Sequence, residues 1–261
     1  MIPKIIHYTW FSKDPYPAIV QQCIDSWQKY LPDYRFVLWD AEKIKEISSV
    51  WMDECLNEKK YAFAADFVRL YAVYTYGGIY LDTDFEIFQS FNDLLDTRCF
   101  IGRESVPYVL LERQVNIFLT SHCFGAEAAH PFIKRCMDYY DGRHFVGSKD
   151  RTLPTHLRLD MMMMPYIQSE IAKSFGYDAS FRADNLQKLN EGIVVYPSEF
   201  FGQMSGQRKR RTFGVHHAAG SWREHKWKDT TRYTLWYKIS WRLKALRTLY
   251  WRKRGYLLLK V

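Results

Sequence analysis

Apolar positions along the first hundred residues switch between a strand period and a helix period. Lys4 to Trp10 is a short apolar run that reads as a buried strand, broken by the loop Ser12-Lys13-Asp14-Pro15-Tyr16-Pro17. Val20, Cys23, Ile24, Trp27 and Leu31 then recur at helical spacing, so the spacing predicts an amphipathic helix. Pro32-Asp33 turns the chain, Tyr34 to Trp39 reads as a second strand ending at Asp40, and a helix is expected near Ala41. The helical run around Ala64 to Tyr71 stops at its expected C-cap, Gly77-Gly78. Ile79-Tyr80-Leu81 follows as a short buried strand, and after Asp84 the chain can continue as strand over Phe85 to Phe88. Further strands are expected at Arg98 to Gly102, from Asn116 into the turn at His122–Ala126, and at Ile193 to Pro197. A helix should start at His130-Pro131 and run through Tyr140. Residues 141–165 read as a long loop, with Met161 to Met164 as core filler. The order β-α-β-α predicts an α/β fold with helices on the faces of a sheet, and in such sheets ligands bind beyond the carboxyl ends of the strands.

At one such end stands Asp82-Thr83-Asp84. In an extended chain, residues i and i+2 point to one side, so both carboxylates can converge on one cation. Mg²⁺ and Mn²⁺ favour carboxylate oxygens and share them with substrate phosphates. The triplet is equally ordinary turn chemistry. Upstream, Asp66 and Arg69 share a helix face with Leu70 and Val73, which points the pair inward. A buried ion pair is costly unless both groups are used, and a surface salt bridge is the plain alternative. Near the C-terminus, His216 or His217 can add an imidazole to the carboxylates. Strand alternation puts the two on opposite faces, and His217 is favoured because it lies nearer Ser221-Trp222. His122-Cys123 lacks the partner spacing of a zinc site.

Taken together, Ala65-Asp66-x-x-Arg69, Gly77-Gly78-Ile79-Tyr80-Leu81-Asp82-x-Asp84, the opening Ile2 to Phe11 and His216 to Trp222 resemble the DXD sugar-transferase family. That family includes yeast-type initiating mannosyltransferases, bacterial capsule and O-antigen transferases and, distantly, the glucosylating clostridial toxins. The resemblance covers residues 1–100 and the short 213–223 segment. It implies a GT-A-like, single Rossmann-like domain with a mixed central sheet. It also implies a metal-dependent hexosyl transfer from a nucleotide-diphospho-sugar, with retention of configuration. By the same resemblance, Asp84 ligates Mn²⁺ or Mg²⁺ with His217 assisting, and Asp82 contacts the ribose and helps hold the metal. Asp66 and Arg69 grip the donor sugar, Tyr80 lines the pocket, and Ser221 and Trp222 meet the diphosphate. Trp10 stacks on the base; a core Trp beneath the loop is the alternative reading of that residue. UDP-sugars are favoured over GDP-mannose, and the expected acceptor is a glycan or lipid-linked glycan of capsule, O-antigen or exopolysaccharide synthesis.

Composition adds three points. Of 261 residues, 48% are hydrophobic and 17% aromatic, which fits a folded domain; aromatic rings also suit sugar faces. The five cysteines (Cys23, Cys55, Cys99, Cys123, Cys136) are scattered in apolar contexts and read as reduced, buried thiols of a cytoplasmic protein. No signal peptide or membrane-spanning helix is expected. The third point is charge. Residues 223–261 hold twelve Lys/Arg against two Asp/Glu, a net of +10; with a chain total of +8, residues 1–222 carry −2. Leu235, Ile239, Leu243 and Leu246 form an apolar stripe in that tail. The division expected is therefore a catalytic domain, 1–228, and a basic aromatic helical tail, 229–261. The tail suits an anionic membrane surface, placing the protein peripherally on the inner face of the cytoplasmic membrane. Packing of the tail on the core is the alternative. Nucleic acid is not an expected partner, since no recognised motif accompanies the charge. The rival functions are a non-catalytic membrane-surface protein with a degenerate sugar site and a metal-dependent phosphoesterase.

Overall fold

The structure, a computed structural model, describes residues 1–105, 108–109, 115–180, 182–204 and 209–218. Its centre is a seven-stranded sheet built from β1 (Ile5–Thr9), β2 (Arg35–Trp39), β3 (Gly78–Leu81), β5 (Cys99–Arg103), β8 (Leu119–Ala126), β9 (Gln187–Lys188) and β10 (Ile193–Tyr196). The spatial order is β2-β1-β3-β8-β5-β10-β9. β1 runs parallel to β2 and β3, β5 runs parallel to β10, and β8 is antiparallel to both β3 and β5. The sheet is therefore mixed, and the carboxyl ends of β1, β2, β3, β5 and β10 share one edge.

A second, three-stranded sheet joins β4 (Phe85–Ile87), β11 (Gln203–Met204) and β12 (Gly214–His216) in the order β11-β12-β4. The strand expected from Phe85 is there as β4, in the second sheet. The Phe85 amide bonds to the Asp82 carbonyl at 3.0 Å, which closes a tight turn and sends the chain into the second sheet. A two-residue ladder pairs β6 (Tyr108–Val109) with β7 (Val115–Asn116).

Among the described residues the helices are α1 (Ala18–Tyr30), α2 (Val50–Asn57), α3 (Tyr61–Tyr76), α4 (Pro131–Asp138), α5 (Thr155–Arg158), α6 (Met164–Lys173) and α7 (Ser198–Phe201). The α1 stripe lies where its spacing placed it, with Val20, Cys23 and Trp27 buried and the Trp27 indole donating to the Phe85 carbonyl at 2.7 Å. The helix expected near Ala41 is only a 3₁₀ turn, Lys43–Glu46. The longer α2 begins after Ser49, whose hydroxyl accepts from the Met52 amide. The 141–165 stretch contains α5 and a bridge between Val146 and Leu159, so it is more ordered than a loop. Of the four methionines, Met164 is buried while Met162 and Met163 are exposed.

Two apolar clusters flank the sheet. One gathers residues of α2, α3, α4 and α6 with Tyr80, Ile101 and Phe124. The other gathers α1, β4 and Phe213 with Ile79, Leu81 and Cys123. The alternation Ile79/Tyr80/Leu81 thus serves both faces of a strand that is buried throughout. All five cysteines are buried free thiols. No helix among the described residues is long and apolar enough to cross a membrane.

Candidate active site

The site begins with the end of α3. Gly77 takes φ 64°, a left-handed conformation that other residues adopt at a cost, and its amide closes on the Val73 carbonyl at 2.9 Å. The helix stops there and β3 starts within one residue, so Asp66 and Arg69 on α3 and Tyr80 on β3 face each other inside the protein.

Asp66 and Arg69 are 8% and 4% exposed, which rules out the surface salt bridge. The Arg69 guanidinium lies 3.0 Å from Asp66 Oδ1 and 3.4 Å from Asp82 Oδ1. It also donates to the Ser121 carbonyl at 2.7 Å and to the Ala65 carbonyl at 3.2 Å, and it lies 4.6 Å from the centre of the Tyr80 ring. The Tyr80 hydroxyl donates to Asp82 Oδ1 at 3.0 Å and lies 3.1 Å from Thr9 Oγ1. One oxygen of Asp82 is thereby fixed by two buried groups. Burial raises the Asp66 carboxyl to about 7; Arg69 opposes the rise and Asp82 adds to it. Burial works against the charge of Arg69, but Asp82, Tyr80 and Asp66 outweigh it and raise its pKa.

Asp82 and Asp84 occupy the turn between the two sheets, so both sequence readings of the triplet hold: it is a turn, and its carboxylates converge. The imidazole they meet is that of His216. Its Nε2 lies 3.0 Å from Asp84 Oδ1 and 3.8 Å from Asp82 Oδ2. The favoured His217 goes elsewhere, with Nε2 3.0 Å from Glu86 Oε2. The reason is register. β12 runs antiparallel to β4 with His216 opposite Phe85, and the His217 amide bonds to the Asp84 carbonyl at 2.9 Å. The two imidazoles therefore diverge, as alternation requires, and the one facing the Asp82–Asp84 turn is His216. One ligand atom each from Asp82, Asp84 and His216 lies within 4.8 Å of the others. Two carboxylates and an imidazole suit Mn²⁺, and Mg²⁺ with more water in its shell. Burial alone would lower the His216 pKa, but the hydrogen bond and charge of Asp84, with Asp82 and Glu104 behind it, raise it above 6.5.

Two residues of this site are not expected in it from the sequence: Glu104 carries no sequence signal, and His122 reads only as half of a His-Cys pair without zinc spacing. His122 on β8 stacks on His216 with ring centres 4.4 Å apart and planes 16° apart, and its Nε2 lies 2.9 Å from the Phe201 carbonyl. Glu104, just beyond β5, has Oε1 3.9 Å from His122 Nδ1. Neither belongs to a local motif; the sheet pairing alone brings them here. Trp10 sits at the same edge, half-buried, its indole donating to the Asp14 carbonyl at 3.1 Å and its ring edge-on to Tyr16. His7, read as structural, is a buried core histidine. Ser221, Trp222 and the 229–261 tail lie outside the described residues.

Comparison with known proteins agrees with the motifs. Residues 17–101 match the family described as glycosyltransferase sugar-binding region containing DXD motif. The opening strand and the 213–223 segment fall outside that match. Inositol phosphoceramide mannosyltransferase 3 of Schizosaccharomyces pombe is 30% identical over 139 residues, 51% of this chain and 35% of that protein. Mannosyl phosphorylinositol ceramide synthase SUR1 of Saccharomyces cerevisiae is 28% identical over 156 residues, 56% of this chain and 37% of that protein. The matches thus span little more than a third of these curated relatives. Among solved structures, the PaToxG glycosyltransferase is 18% identical with a TM-score of 0.43, covering 66% of this chain and 69% of that one. A glycosyltransferase involved in glycosylation of the PBCV-1 major capsid is 8% identical with a TM-score of 0.45, covering 83% and 94%. The D-x-D turn and the buried Asp66–Arg69 pair both lie within the 17–101 segment that is similar to the sugar-binding region of DXD glycosyltransferases.

Proposed function

We propose that this protein is a metal-dependent glycosyltransferase of GT-A-like organisation that moves a hexose from a nucleotide-diphospho-sugar to a glycolipid. The observation that carries the reading is the convergence of Asp82, Asp84 and His216 at the carboxyl edge of the sheet, beside a buried network that fixes Asp82. Asp84 and His216, with Asp82, would hold Mn²⁺ or Mg²⁺. There it would offset the charge that develops on a departing diphosphate. Asp82 is held by Tyr80 and Arg69 in one orientation, so the site needs little rearrangement to receive it. Asp66 and Arg69 then hold hydroxyls of the donor sugar, and Trp10 lies at the strand end where the base would stack. Ser221 and Trp222 keep their proposed place at the diphosphate.

In the reaction the bond from the anomeric carbon to the diphosphate breaks, with the electron pair leaving on the nucleoside diphosphate. The acceptor oxygen bonds to the same carbon and gives up its proton. Retention, with attack on the face the diphosphate leaves, stays part of the proposal. The two fungal relatives are named for mannose and for inositol phosphoceramide. Their names support mannose as the sugar, hence GDP-mannose ahead of the UDP-sugars expected from motifs. They also support a sphingolipid acceptor ahead of capsule or O-antigen glycans. The net +10 of residues 223–261 supports attachment to an anionic membrane surface, and a peripheral location on the inner face of the cytoplasmic membrane goes with it. A phosphoesterase built on two metals would need more ligands than the one His/Asp group found among the described residues.

The test is sugar transfer from labelled GDP-mannose to inositol phosphoceramide in detergent micelles, with Mn²⁺ and with EDTA, on the wild type and Asp84→Asn. Transfer that needs Mn²⁺ and is lost in the variant supports the reading. Transfer that survives EDTA and the substitution sinks it.

A further inference from the structure

Glu104 stands at the same sheet edge as the Asp82–Asp84 turn, yet the proposed metal and donor contacts leave it without a task. Its position is tightly built. Its amide donates to the Phe118 carbonyl at 2.8 Å. The end of α7 presses on the same stretch of backbone: a Cβ on Gly202 would fall 2.1 Å from the Arg103 carbonyl oxygen and 3.1 Å from the Glu104 carbonyl carbon. The neighbouring Phe201 carbonyl bonds His122. One short helix end therefore holds both Glu104 and the imidazole stacked on His216.

The Glu104 side chain is 20% exposed, and no hydrogen-bond donor among the described residues reaches its carboxylate. His122 does not satisfy it: Nδ1, 3.9 Å away, is beyond hydrogen-bond reach, and Nε2 is engaged with the Phe201 carbonyl at 2.9 Å. At 20% exposure the carboxylate is open to the solvent side of the site, where the hydroxyl of a bound ligand can reach it as a hydrogen-bond donor. Burial raises this carboxyl to about 7, with His216 opposing and Asp82 reinforcing the shift. Glu104 is also outside the group of ligand atoms that Asp82, Asp84 and His216 bring together.

Given the transferase reading, we propose that Glu104 is the catalytic residue on the acceptor side: its carboxylate accepts the hydrogen bond of the attacking hydroxyl. As the acceptor oxygen bonds to the anomeric carbon and the diphosphate departs with its electron pair, the hydroxyl proton passes to Glu104. Product release and exchange with water return the proton to solvent.

The experiment compares wild type, Glu104→Gln and Glu104→Asp, with Mn²⁺ and GDP-mannose as probes. Donor affinity is measured by calorimetry. Turnover is measured with inositol phosphoceramide and with water as acceptors, and the thermal midpoint is recorded for each protein. Glu104→Gln should bind Mn²⁺ and donor as the wild type does, while kcat falls by roughly 100-fold or more. Its thermal midpoint should stay level or rise, because the carboxylate it replaces accepts no hydrogen bond from the described residues; a purely structural Glu104 would lower it instead. Glu104→Asp should recover part of the rate. Near-wild-type turnover in Glu104→Gln overturns the inference. So does a large loss of Mn²⁺ affinity, which would make Glu104 a metal ligand. Donor bound by the wild type but turned over with neither acceptor also counts against it. A wild type that binds no donor refutes the transferase reading itself and is thereby a distinct result.

Discussion

Replacing Arg69 by Met removes the guanidinium that bridges the Asp66 and Asp82 carboxylates. The wild-type guanidinium serves Asp66 at 3.0 Å, Asp82 at 3.4 Å and the Ser121 and Ala65 carbonyls, all at 4% exposure. Removing one partner of a buried ion pair costs about 3–5 kcal/mol, and an orphaned buried carbonyl costs about 1–3 kcal/mol. The two overlap, and Asp66 limits the loss. Its carboxyl already sits near 7 with Arg69 present, so without Arg69 it takes up a proton and sheds its charge. A loss of about 3–5 kcal/mol is therefore expected at pH 8, a large part of the ~5–15 kcal/mol typical of a domain. Urea unfolding followed by circular dichroism reads it as a lower midpoint with an unchanged slope. Asp66→Asn/Arg69→Met should lose less than the two single variants added together, since each single leaves the other group unpaired. A loss below about 1 kcal/mol, or strict additivity, would refute the claim that this pair is a buried, coupled element.

Two further outcomes follow from the same geometry. His7 Nε2 lies 2.8 Å from the Gly77 carbonyl and its Nδ1 accepts from the Trp39 indole at 3.1 Å, and burial lowers its pKa to about 4. Unfolded, the ring takes a proton near 6.5; folded, only near 4. Its stabilising contribution is thus present above 6.5 and lost as pH falls toward 4, up to about 3 kcal/mol. The difference in unfolding free energy between wild type and His7→Gln should shrink by that amount over the window, and a pH-independent difference contradicts it. For the metal, the raised pKa of His216 means that a cation must displace its proton, so Mn²⁺ affinity should rise with pH through neutrality. Thermal shift with Mn²⁺ should vanish in His216→Ala and persist in His217→Ala; the reverse pattern would restore His217 as the ligand.

Much of this architecture can be read from the chain because it is local. The α1 stripe, the Gly77-Gly78 stop and the Ile79–Leu81 strand each follow from residues within one element, and all three stand as expected. Asp66 and Arg69 share a face by helical spacing, so their pairing needed no tertiary knowledge; that their charge is turned inward came from Leu70 and Val73. What could not be read are the features that depend on pairing between distant segments. The choice between His216 and His217 is made by the register of β12 on β4, some 130 residues away in sequence. His122 and Glu104 reach the site only because β8 lies antiparallel between β3 and β5. The strand that starts at Phe85 is legible, but not that the turn at Asp82–Phe85 sends it into another sheet, where its partner is β12.

The central claim is that Asp82, Asp84 and His216 present a divalent cation to a nucleotide-diphospho-sugar. Calorimetric titration of GDP-mannose and a panel of UDP-hexoses into the protein, with and without Mn²⁺, tests it most directly on wild type and Asp84→Ala. The account predicts that one donor binds only with Mn²⁺ and that Asp84→Ala, still folded, binds none. Donor binding that is indifferent to Mn²⁺ and to Asp84, or a folded wild type that binds no donor in the presence of Mn²⁺, contradicts it.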